Sequence, residues 1–323
     1  MSGKLMIASP PILSERVNTG HSALWLRCPR CAVDMARPEC PRCAFRMDTF
    51  GGIVQALPPE RVSYYSRFKA DYERIRSAEG RGSEDKQFYL ELPYKDTTGR
   101  NVAQWRIRAC SYDYLFRYLL QPCLPPSAAI LDLGAGNCWM SFRLRQAGYQ
   151  SVAVDLLVNR YDGLAAAEQY RQHLPELLPR FQAELSRLPF QSEQFDCVIF
   201  NASFHYAEDA EGALCEALRC TRAGGYIIIS DSPWYSSDKS GDQMVVERRA
   251  AFLHRYGTAS DSIRSFEYLT DDRLRSLAEH VSVNWAIHSP RYGVRWALRP
   301  LIAKLRGRRE PSRFRIYVAR KAS

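Results

Sequence analysis

Four of the ten cysteines lie in two closely spaced pairs, and their spacing is typical of a metal site. Cys28 and Cys31 enclose Pro-Arg, eight residues follow, and Cys40 and Cys43 enclose Pro-Arg again. Each pair places two thiolates at a tight turn, so two pairs can surround one Zn²⁺ as a tetrahedron. Two disulfides or a redox pair are the alternatives, but neither pair opens a βαβ unit, and a chain expected in the cytosol disfavours disulfides. Thiolates would fill all four positions of the ion, so we expect a structural zinc.

A second pattern, in residues 131–138, joins a predicted strand to a predicted helix through a glycine turn. Gly134 and Gly136 let the backbone pass beside a ligand, and Asp155 ends the next strand 19 residues after Gly136. A carboxylate at that place can accept both hydroxyls of a ribose, so the pattern predicts a nucleoside site. Dinucleotide-binding turns have a third glycine where this chain has Trp139, and an indole there disfavours a seated pyrophosphate. NAD is therefore disfavoured.

The elements that must position these residues alternate between strand and helix from residue 127 onward, which is typical of a mostly parallel α/β sheet. Strands are predicted over 129–133, 151–155, 195–200, 226–230, 281–287 and 314–319. The final strand alternates apolar and polar residues, as a late antiparallel strand would. Helices are predicted over 102–120, 139–148 and 245–256.

The order of motifs in this region resembles that of class I S-adenosylmethionine-dependent methyltransferases, and most closely the branch with quinone-biosynthesis and many small-molecule enzymes. The motifs are Asp132-x-Gly134-x-Gly136, the acid Asp155, and the runs 184–190, 195–201 and 222–230. The resemblance implies a Rossmann-like, seven-stranded, mostly parallel sheet whose last strand is antiparallel. It also implies S-adenosylmethionine as the cofactor and no catalytic metal.

The resemblance further implies that nine residues bind the cofactor: Asp132, Gly134, Gly136, Asn137, Asp155, Leu156, Glu184, Leu185 and Asn201. Asp155 would hold the ribose hydroxyls, Leu156 would pack on adenine, and Asn201 would lie beside the sulfonium. Two positions depart from the family. Cys138 replaces the third family glycine, and Glu184 stands where the family usually has an aspartate that contacts the adenine amine.

The acceptor is expected beyond the fourth and fifth strands, because α/β sheets bind ligands at their carboxyl ends. His205 is the candidate general base, since imidazole titrates near neutral pH, and Tyr206 beside it is the second candidate catalytic residue. Trp234 and Tyr235, on a lid over about 232–270, and Tyr256 are candidate substrate-binding residues. A histidine that only packs over the cofactor, and a surface loop with two aromatic rings docked on the core, are the alternatives.

The net charge of +10 arises from the C-terminal part of the chain. Residues 291–321 contain 11 Lys/Arg and one acid, and the rest of the chain is neutral. The insertion over about 291–312 mixes apolar residues with cations. Three interpretations remain open: a solvated helix with its apolar side packed on the domain, a helix at an anionic membrane surface, or contact with an RNA backbone.

The composition is that of a globular protein, with 46% apolar and 25% charged residues, which excludes wholesale disorder. Neither a stretch of 18 apolar residues nor a secretory signal is recognised, so we expect a cytoplasmic protein, peripheral at the inner membrane face if the insertion binds lipid. The predicted layout is a leader (1–20), a zinc ribbon (21–58), a helical cap (59–125) and the methyltransferase-like domain (126–323).

The sequence thus predicts a methyltransferase that acts on a small-molecule or lipid-linked metabolite by in-line methyl transfer. A methyltransferase of RNA bases is the alternative, because a zinc ribbon before such a domain resembles the layout of ribosomal-RNA guanine methyltransferases. A non-catalytic binding module is the second alternative. The acceptor atom and the oligomeric state do not follow from the sequence.

Overall fold

A computed structural model describes residues 24–322, and the predicted leader lies outside this range. The described part contains eleven strands. They are β1 (Leu26–Arg27), β2 (Asp34–Met35), β3 (Thr49–Phe50), β4 (Ile53–Gln55), β5 (Ala129–Leu133), β6 (Gln150–Asp155), β7 (Arg180–Gln182), β8 (Phe195–Asn201), β9 (Thr221–Ser230), β10 (Ala286–His288) and β11 (Ile316–Arg320).

Ten α-helices accompany the strands in the described range. They are α1 (Pro59–Ala78), α2 (Lys86–Glu91), α3 (Val102–Leu115), α4 (Gln121–Cys123), α5 (Trp139–Gln146), α6 (Ala210–Cys220), α7 (Asp238–Tyr256), α8 (Asp271–Val281), α9 (Val294–Ala297) and α10 (Arg299–Leu305). A π-helical turn at Phe116–Leu120 joins α3 to α4, and 3₁₀ segments occupy Leu164–His173 and Phe204–Tyr206.

Nine strands form one sheet in the order β10-β11-β9-β8-β5-β6-β7-β4-β3. Strands β5 to β9 run parallel to one another. Strand β11 pairs antiparallel with both β9 and β10. The predicted mostly parallel α/β sheet with an antiparallel late strand is confirmed. Seven of the strands, β5 to β11, form the expected sheet, and β4 and β3 extend its edge.

The central strands are mostly apolar because both of their faces are covered, and most of their polar residues lie near the strand ends. In β5, Ile130, Leu131 and Leu133 are fully buried, and two large apolar clusters lie on opposite faces of the sheet. The carboxyl ends of β5, β6 and β8 therefore lie side by side at one rigid edge. Any side chain at these ends is held in a fixed position.

The N-terminal segment is built into the sheet instead of standing beside it. Strand β4 pairs parallel with β7, and Leu26 forms a bridge with Phe190. The Phe190 ring is fully buried between Phe181 and Phe195, with ring centroids 4.8 and 5.2 Å away. This part of the chain shares one core with the sheet, which sequence spacing did not reveal.

Some predicted boundaries differ from the structure. The strand predicted over 281–287 is wrong at its start, because α8 continues to Val281 and β10 covers only Ala286–His288. The helix predicted over 102–120 ends as α3 at Leu115 and continues as the π-helical turn. Within the described residues, no helix is both long and apolar enough to cross a bilayer.

Candidate functional site

A cavity of about 1140 Å³, counted to its open mouth, lies at the carboxyl ends of β5, β6 and β8. All nine residues predicted to bind a cofactor line it: Asp132, Gly134, Gly136, Asn137, Asp155, Leu156, Glu184, Leu185 and Asn201. Its size is that of a small-molecule site, and its position is the one where open α/β sheets bind ligands.

The glycine turn forms one wall of the cavity. Gly134 and Gly136 both have left-handed backbones, with φ of +75° and +53°. A Cβ on Gly134 would lie 2.2 Å from the Cβ of Ser203, because the loop after β8 passes directly against the turn. Ser203 in turn donates a hydrogen bond of 2.5 Å to the Leu133 carbonyl. Glycine at 134 is thus required both by φ and by space.

Asp155 faces the glycine turn from the end of β6. Its Oδ2 accepts a hydrogen bond of 2.7 Å from the Gly136 amide, and its Oδ1 accepts one of 2.8 Å from Leu157. Each oxygen keeps lone pairs for a further donor. Burial raises the pKa of Asp155 to about 6, although these amides favour the ionised form. Asp132 lies in the same cavity, hydrogen-bonded by Ser141 at 2.6 Å, and burial raises its pKa to about 7.

Trp139 belongs to the wall and to the core beneath it. Its ring packs edge-on against Trp105 and Tyr112 of α3, with centroids 6.0 and 5.5 Å away, and it is only 4% exposed. Cys138 before it has φ of +62°, the left-handed backbone that glycine adopts more easily. The small cysteine side chain is buried in the core under the turn.

Helix α1 contributes one wall of the cavity, and it belongs to the stretch that the sequence predicts to be a helical cap (59–125). Tyr65, Phe68, Tyr72 and Arg76, at spacings of three and four residues, face the cavity from this helix. The sequence predicts a cap here, but it does not predict which of its side chains face the cavity.

Glu184 fastens α1 to the sheet domain. Arg61 forms a salt bridge of 2.7 Å with Glu184, and the Tyr65 hydroxyl donates to the same carboxylate at 2.9 Å. Glu184 is 3% exposed, so this ion pair is largely shielded from water. The residue lines the cavity as predicted, but its carboxylate already has two partners from the covering helix.

The deep side of the cavity carries a guanidinium that the sequence analysis also missed. Arg108 of α3 lines the cavity, and no hydrogen bond or salt bridge of its side chain is found among residues 24–322. Its guanidinium carbon lies 5.0 Å from the ring centre of Trp105. Burial and the nearby charges of Arg76 and Arg81 lower the pKa of Arg108. An anionic ligand group beside the guanidinium would raise this pKa again, because it would favour the charged form of Arg108.

Behind Arg108, Asp231 follows β9 directly and is buried. The Ser111 hydroxyl donates to Asp231 Oδ1 at 2.5 Å, and the Tyr292 hydroxyl lies 2.9 Å from Ser111 Oγ. Burial raises the pKa of Asp231 to about 6. The Oδ2 of Asp231 has no hydrogen-bond partner within the described residues.

Of the two candidate catalytic residues, only Tyr206 lines the cavity. The Tyr206 ring packs edge-on against Tyr72, with centroids 5.5 Å apart. His205 points into the protein, where it is 8% exposed and its Nδ1 lies 3.3 Å from Ser232 Oγ. Burial lowers the pKa of His205 to about 3, so it is neutral and a weak base. The expectation of a histidine near its working pH is therefore corrected.

The lid expected over 232–270 is also corrected. Trp234 is buried, donates from Nε1 to Asp271 at 2.9 Å, and lies under the Arg315 guanidinium at 3.5 Å. Tyr235 is 2% exposed and packs edge-on against Tyr268. Tyr256 contacts Phe252 on α7. None of the three lines the cavity, because the loop after β9 docks on the core and α7 already begins at Asp238.

The four N-terminal cysteines come together as one cluster. All four Sγ atoms lie within 4.8 Å of one another, with Cys28 to Cys43 at 3.6 Å and Cys31 to Cys40 at 3.4 Å. Four thiolates at about 2.3 Å from Zn²⁺ would lie roughly 3.8 Å apart, so the cluster fits a tetrahedral zinc site. All ten cysteines are free, which argues against the disulfide alternative.

The two cysteine turns have the same backbone. Ala32 donates to the Cys28 carbonyl at 2.8 Å, and Ala44 donates to the Cys40 carbonyl at 3.0 Å. Both alanines have left-handed backbones, with φ of +60° and +53°. Each of these repeated turns orients two sulfur atoms toward the same point.

Comparison with known proteins agrees with this geometry. Residues 131–229 match the family described as "Methyltransferase domain". These residues therefore correspond to a methyltransferase domain. Curated relatives include demethylmenaquinone methyltransferases of Mycolicibacterium paratuberculosis, 31% identical over 106 residues, and Mycolicibacterium vanbaalenii, 32% identical over 108. The matches span 33% of this chain and about two fifths of the relatives' length (42% and 43%).

Solved structures share the fold of the methyltransferase domain. One comes from the complex between the Haloferax volcanii Trm112 methyltransferase activator and a proposed methyltransferase, with a TM-score of 0.50, 13% identity, and coverage of 79% of this chain and 98% of that one. Another is a proposed sarcosine dimethylglycine methyltransferase from Galdieria sulphuraria, with a TM-score of 0.50, 15% identity, and coverage of 78% and 98%. At these identities the likeness concerns the fold alone.

The cysteine cluster leads to a prediction about metal content. Purified protein should contain one zinc ion per chain, and Cys31→Ser should lose it, with a fall in Tm of roughly 5 °C or more because metal binding contributes folding energy. Elemental analysis and calorimetry measure both. Cys215→Ser is the matched control, since Cys215 is exposed and outside the cluster. Equal zinc content in both variants would contradict the site.

The glycine turn of the methyltransferase domain gives a second prediction. Gly134→Ala should lower the free energy of unfolding by roughly 2–4 kcal/mol, because it combines left-handed strain with a clash against Ser203. Gly148→Ala is the control. Gly148 also has a positive φ, of +93°, but nothing lies within 4 Å of its added Cβ, so only the backbone cost of about 1 kcal/mol remains. Urea unfolding of both variants would show whether the contact with Ser203 matters.

Proposed function

We propose that this protein is an S-adenosylmethionine-dependent methyltransferase that acts on a small-molecule acceptor. The observation that carries the proposal is the Asp155 carboxylate held against the Gly136 amide at the edge of a ligand-sized cavity. The family match over residues 131–229 and the demethylmenaquinone methyltransferases among the relatives support it.

The residues around the cavity suit each part of this cofactor. Asp155 accepts hydrogen bonds from the ribose hydroxyls through the lone pairs that Gly136 and Leu157 leave available. Leu156 and Leu185 pack on the adenine. The methionine end is bound along the turn at Asp132, Gly134, Gly136 and Asn137, and Asn201 lies beside the sulfonium. We assign Glu184 the task of fastening α1 over the cofactor, since Arg61 and Tyr65 hold its carboxylate.

Arg108 is the partner we assign to the carboxylate of the methionine end. Its guanidinium lines the cavity without a partner of its own in the described chain. It follows Trp105 by one helical turn on α3, and Trp105 contacts Trp139 at the start of α5, next to the glycine turn. Arg76, the other arginine at this end, already forms a salt bridge of 2.5 Å with Asp162.

The bound cofactor supplies an activated methyl group on a positively charged sulfur, so the protein needs mainly to align the reactants. Asp155 and the glycine turn would hold the cofactor with its methyl group in line with the acceptor's nucleophilic atom, and the carbon–sulfur bond would break with its electron pair left on sulfur. Tyr206 and Tyr72 line the acceptor side and exclude water from it. The cover formed by α1 favours a small acceptor over a base within folded RNA. A zinc ion held by the four clustered cysteines would have no open coordination position, so we assign it a structural task and no part in the reaction.

Asp155 leads to a prediction about affinity and pH. Asp155→Asn should weaken binding of S-adenosylhomocysteine by about 2 kcal/mol, or about thirtyfold in Kd, because hydroxyl donors lose a charged acceptor. The ligand prefers the ionised carboxylate, whose pKa is about 6. Wild-type affinity should therefore be highest above pH 7 and should fall as the pH drops below 6, by at most about tenfold per unit. Titration calorimetry from pH 5 to pH 8 measures this dependence.

The Asn variant should show a weak affinity that lacks the part of the pH dependence due to Asp155, and the dependence that remains is that of Asp132, whose pKa is about 7. A variant with the same pH dependence as the wild type would reject the assignment of Asp155. Arg108→Met is the matched contrast: it should weaken S-adenosylhomocysteine but not 5′-methylthioadenosine, which lacks the amino acid part, whereas Asp155→Asn should weaken both ligands. If neither ligand responds to Arg108→Met, the guanidinium does not hold the cofactor.

Methyl transfer itself is tested with S-adenosylmethionine labelled on its methyl group and a cell extract separated into small-molecule, lipid and RNA pools. We expect label in the small-molecule or lipid pool with the wild type, and a loss of about thirtyfold or more with Asp155→Asn at limiting cofactor. Label in the RNA pool alone would reject the proposed acceptor class. Tight cofactor binding without transfer to any pool would favour a non-catalytic binding module.

A further inference from the structure

We infer that the segment 294–308, which we call the basic apolar surface, binds the surface of an anionic phospholipid bilayer. The inference is independent of the proposed function, because it concerns residues outside the cavity. It chooses among the three interpretations that the sequence left open for this insertion.

The aliphatic side chains of this segment are exposed, not packed on the domain. Five of them lie on or beside helices α9 and α10. Their exposed fractions are 74% for Val294, 45% for Leu298, 56% for Leu301, 41% for Ile302 and 78% for Leu305. Isolated exposed aliphatic residues are ordinary, but five within twelve residues form a contiguous apolar stretch that calls for a partner. The interpretation of a helix with its apolar side packed on the domain is therefore wrong.

The cations of the same segment are also exposed and uncompensated. Arg295, Lys304, Arg306 and Arg308 are exposed, and no salt bridge of theirs is found within residues 24–322. Further along the chain the cations do have partners: Arg309 pairs with Glu247, and Arg315 pairs with Asp271. Positive charge is thus left unpaired where the aliphatic side chains are exposed.

The segment is held to the body of the protein, so this surface exists before any partner binds. The Trp296 ring stacks on Phe314 with ring centroids 5.6 Å apart, and the Arg299 guanidinium carbon lies 3.8 Å from the centre of the Trp296 ring. Arg299 also donates to the Ser312 carbonyl at 3.4 Å. These contacts fix one side of α10 and leave the aliphatic side outward.

A bilayer surface fits this mixture better than the alternatives. Aliphatic side chains enter the acyl boundary while cations meet anionic headgroups. An RNA backbone would meet the cations but would leave the five exposed aliphatic side chains in water. A second copy of the surface would bring like charges together. The remaining occupant is the chain's own residues 1–23, whose sequence has a net charge of +1 and offers no charge complementarity.

The test is sedimentation of the full chain with vesicles of phosphatidylcholine, with or without a quarter of phosphatidylglycerol. We expect binding only to the anionic vesicles, weakening as salt rises. Two variants separate the contributions: Leu301→Ser with Leu305→Ser removes apolar contact, and Arg295→Gln with Arg306→Gln and Arg308→Gln removes charge. Each should reduce the partition coefficient roughly tenfold or more.

The matched control is Phe50→Ser with Arg37→Gln, which removes an exposed ring and an exposed cation in the N-terminal part of the chain, where β3 forms the sheet edge opposite β10. It should bind vesicles like the wild type. Circular dichroism and S-adenosylhomocysteine affinity, expected to be unchanged in all variants, confirm folding without requiring methyl transfer. The inference would be overturned if the protein bound neutral vesicles equally well, if it bound no vesicles, or if neither variant reduced the partition coefficient. It would also be overturned by RNA binding or dimerisation that is lost in these variants without vesicle binding.

Discussion

The hydrogen bond from the Gly136 amide to the Asp155 carboxylate joins the two strand ends on which the site depends. It fixes the turn after β5 against the end of β6. The turn contributes only a backbone amide to this bond, so none of its side chains takes part. The same carboxylate accepts from Leu157, so the loop after β6 is oriented as well. Because the strands themselves are buried and paired over their whole length, this bond closes a rigid frame around an open space. Burying the Asp155 carboxylate costs free energy, and the stability of the surrounding sheet compensates for this cost.

The cover of that space comes from the other end of the chain. Helix α1 is aromatic on the side that faces the cavity, and its ion pair with Glu184 lies in a water-poor environment where a broken partner would leave an unpaired charge. The glutamate that differs from the family's aspartate is the residue that makes this connection. The Glu184 side chain is one methylene longer than the aspartate usual in the family, and its carboxylate contacts Arg61 and Tyr65 of α1.

Much of this frame could be predicted from the sequence, because it follows from local rules. Glycines at a strand-to-helix turn, an acid at the next strand end, and two Cys-x-x-Cys pairs have fixed geometric consequences. The sequence predicts a helical cap over 59–125, but the cavity-facing side chains of α1 and the guanidinium of Arg108 could not be predicted, since they depend on where a helix docks in space. His205 and Trp234 were misplaced for the same reason. Their residue types suited a site, but their side chains turn into the core, where burial and packing outweigh any ligand contact.

Only three residues, Ala56 to Pro58, separate β4 from α1, and Arg30 in the first cysteine turn forms a salt bridge of 2.8 Å with Glu60 at the start of that helix. This exposed ion pair joins the first cysteine turn to the helix that covers the cavity. The cysteine turns and α1 thus contact each other as well as the sheet, so the position of one bears on the position of the other.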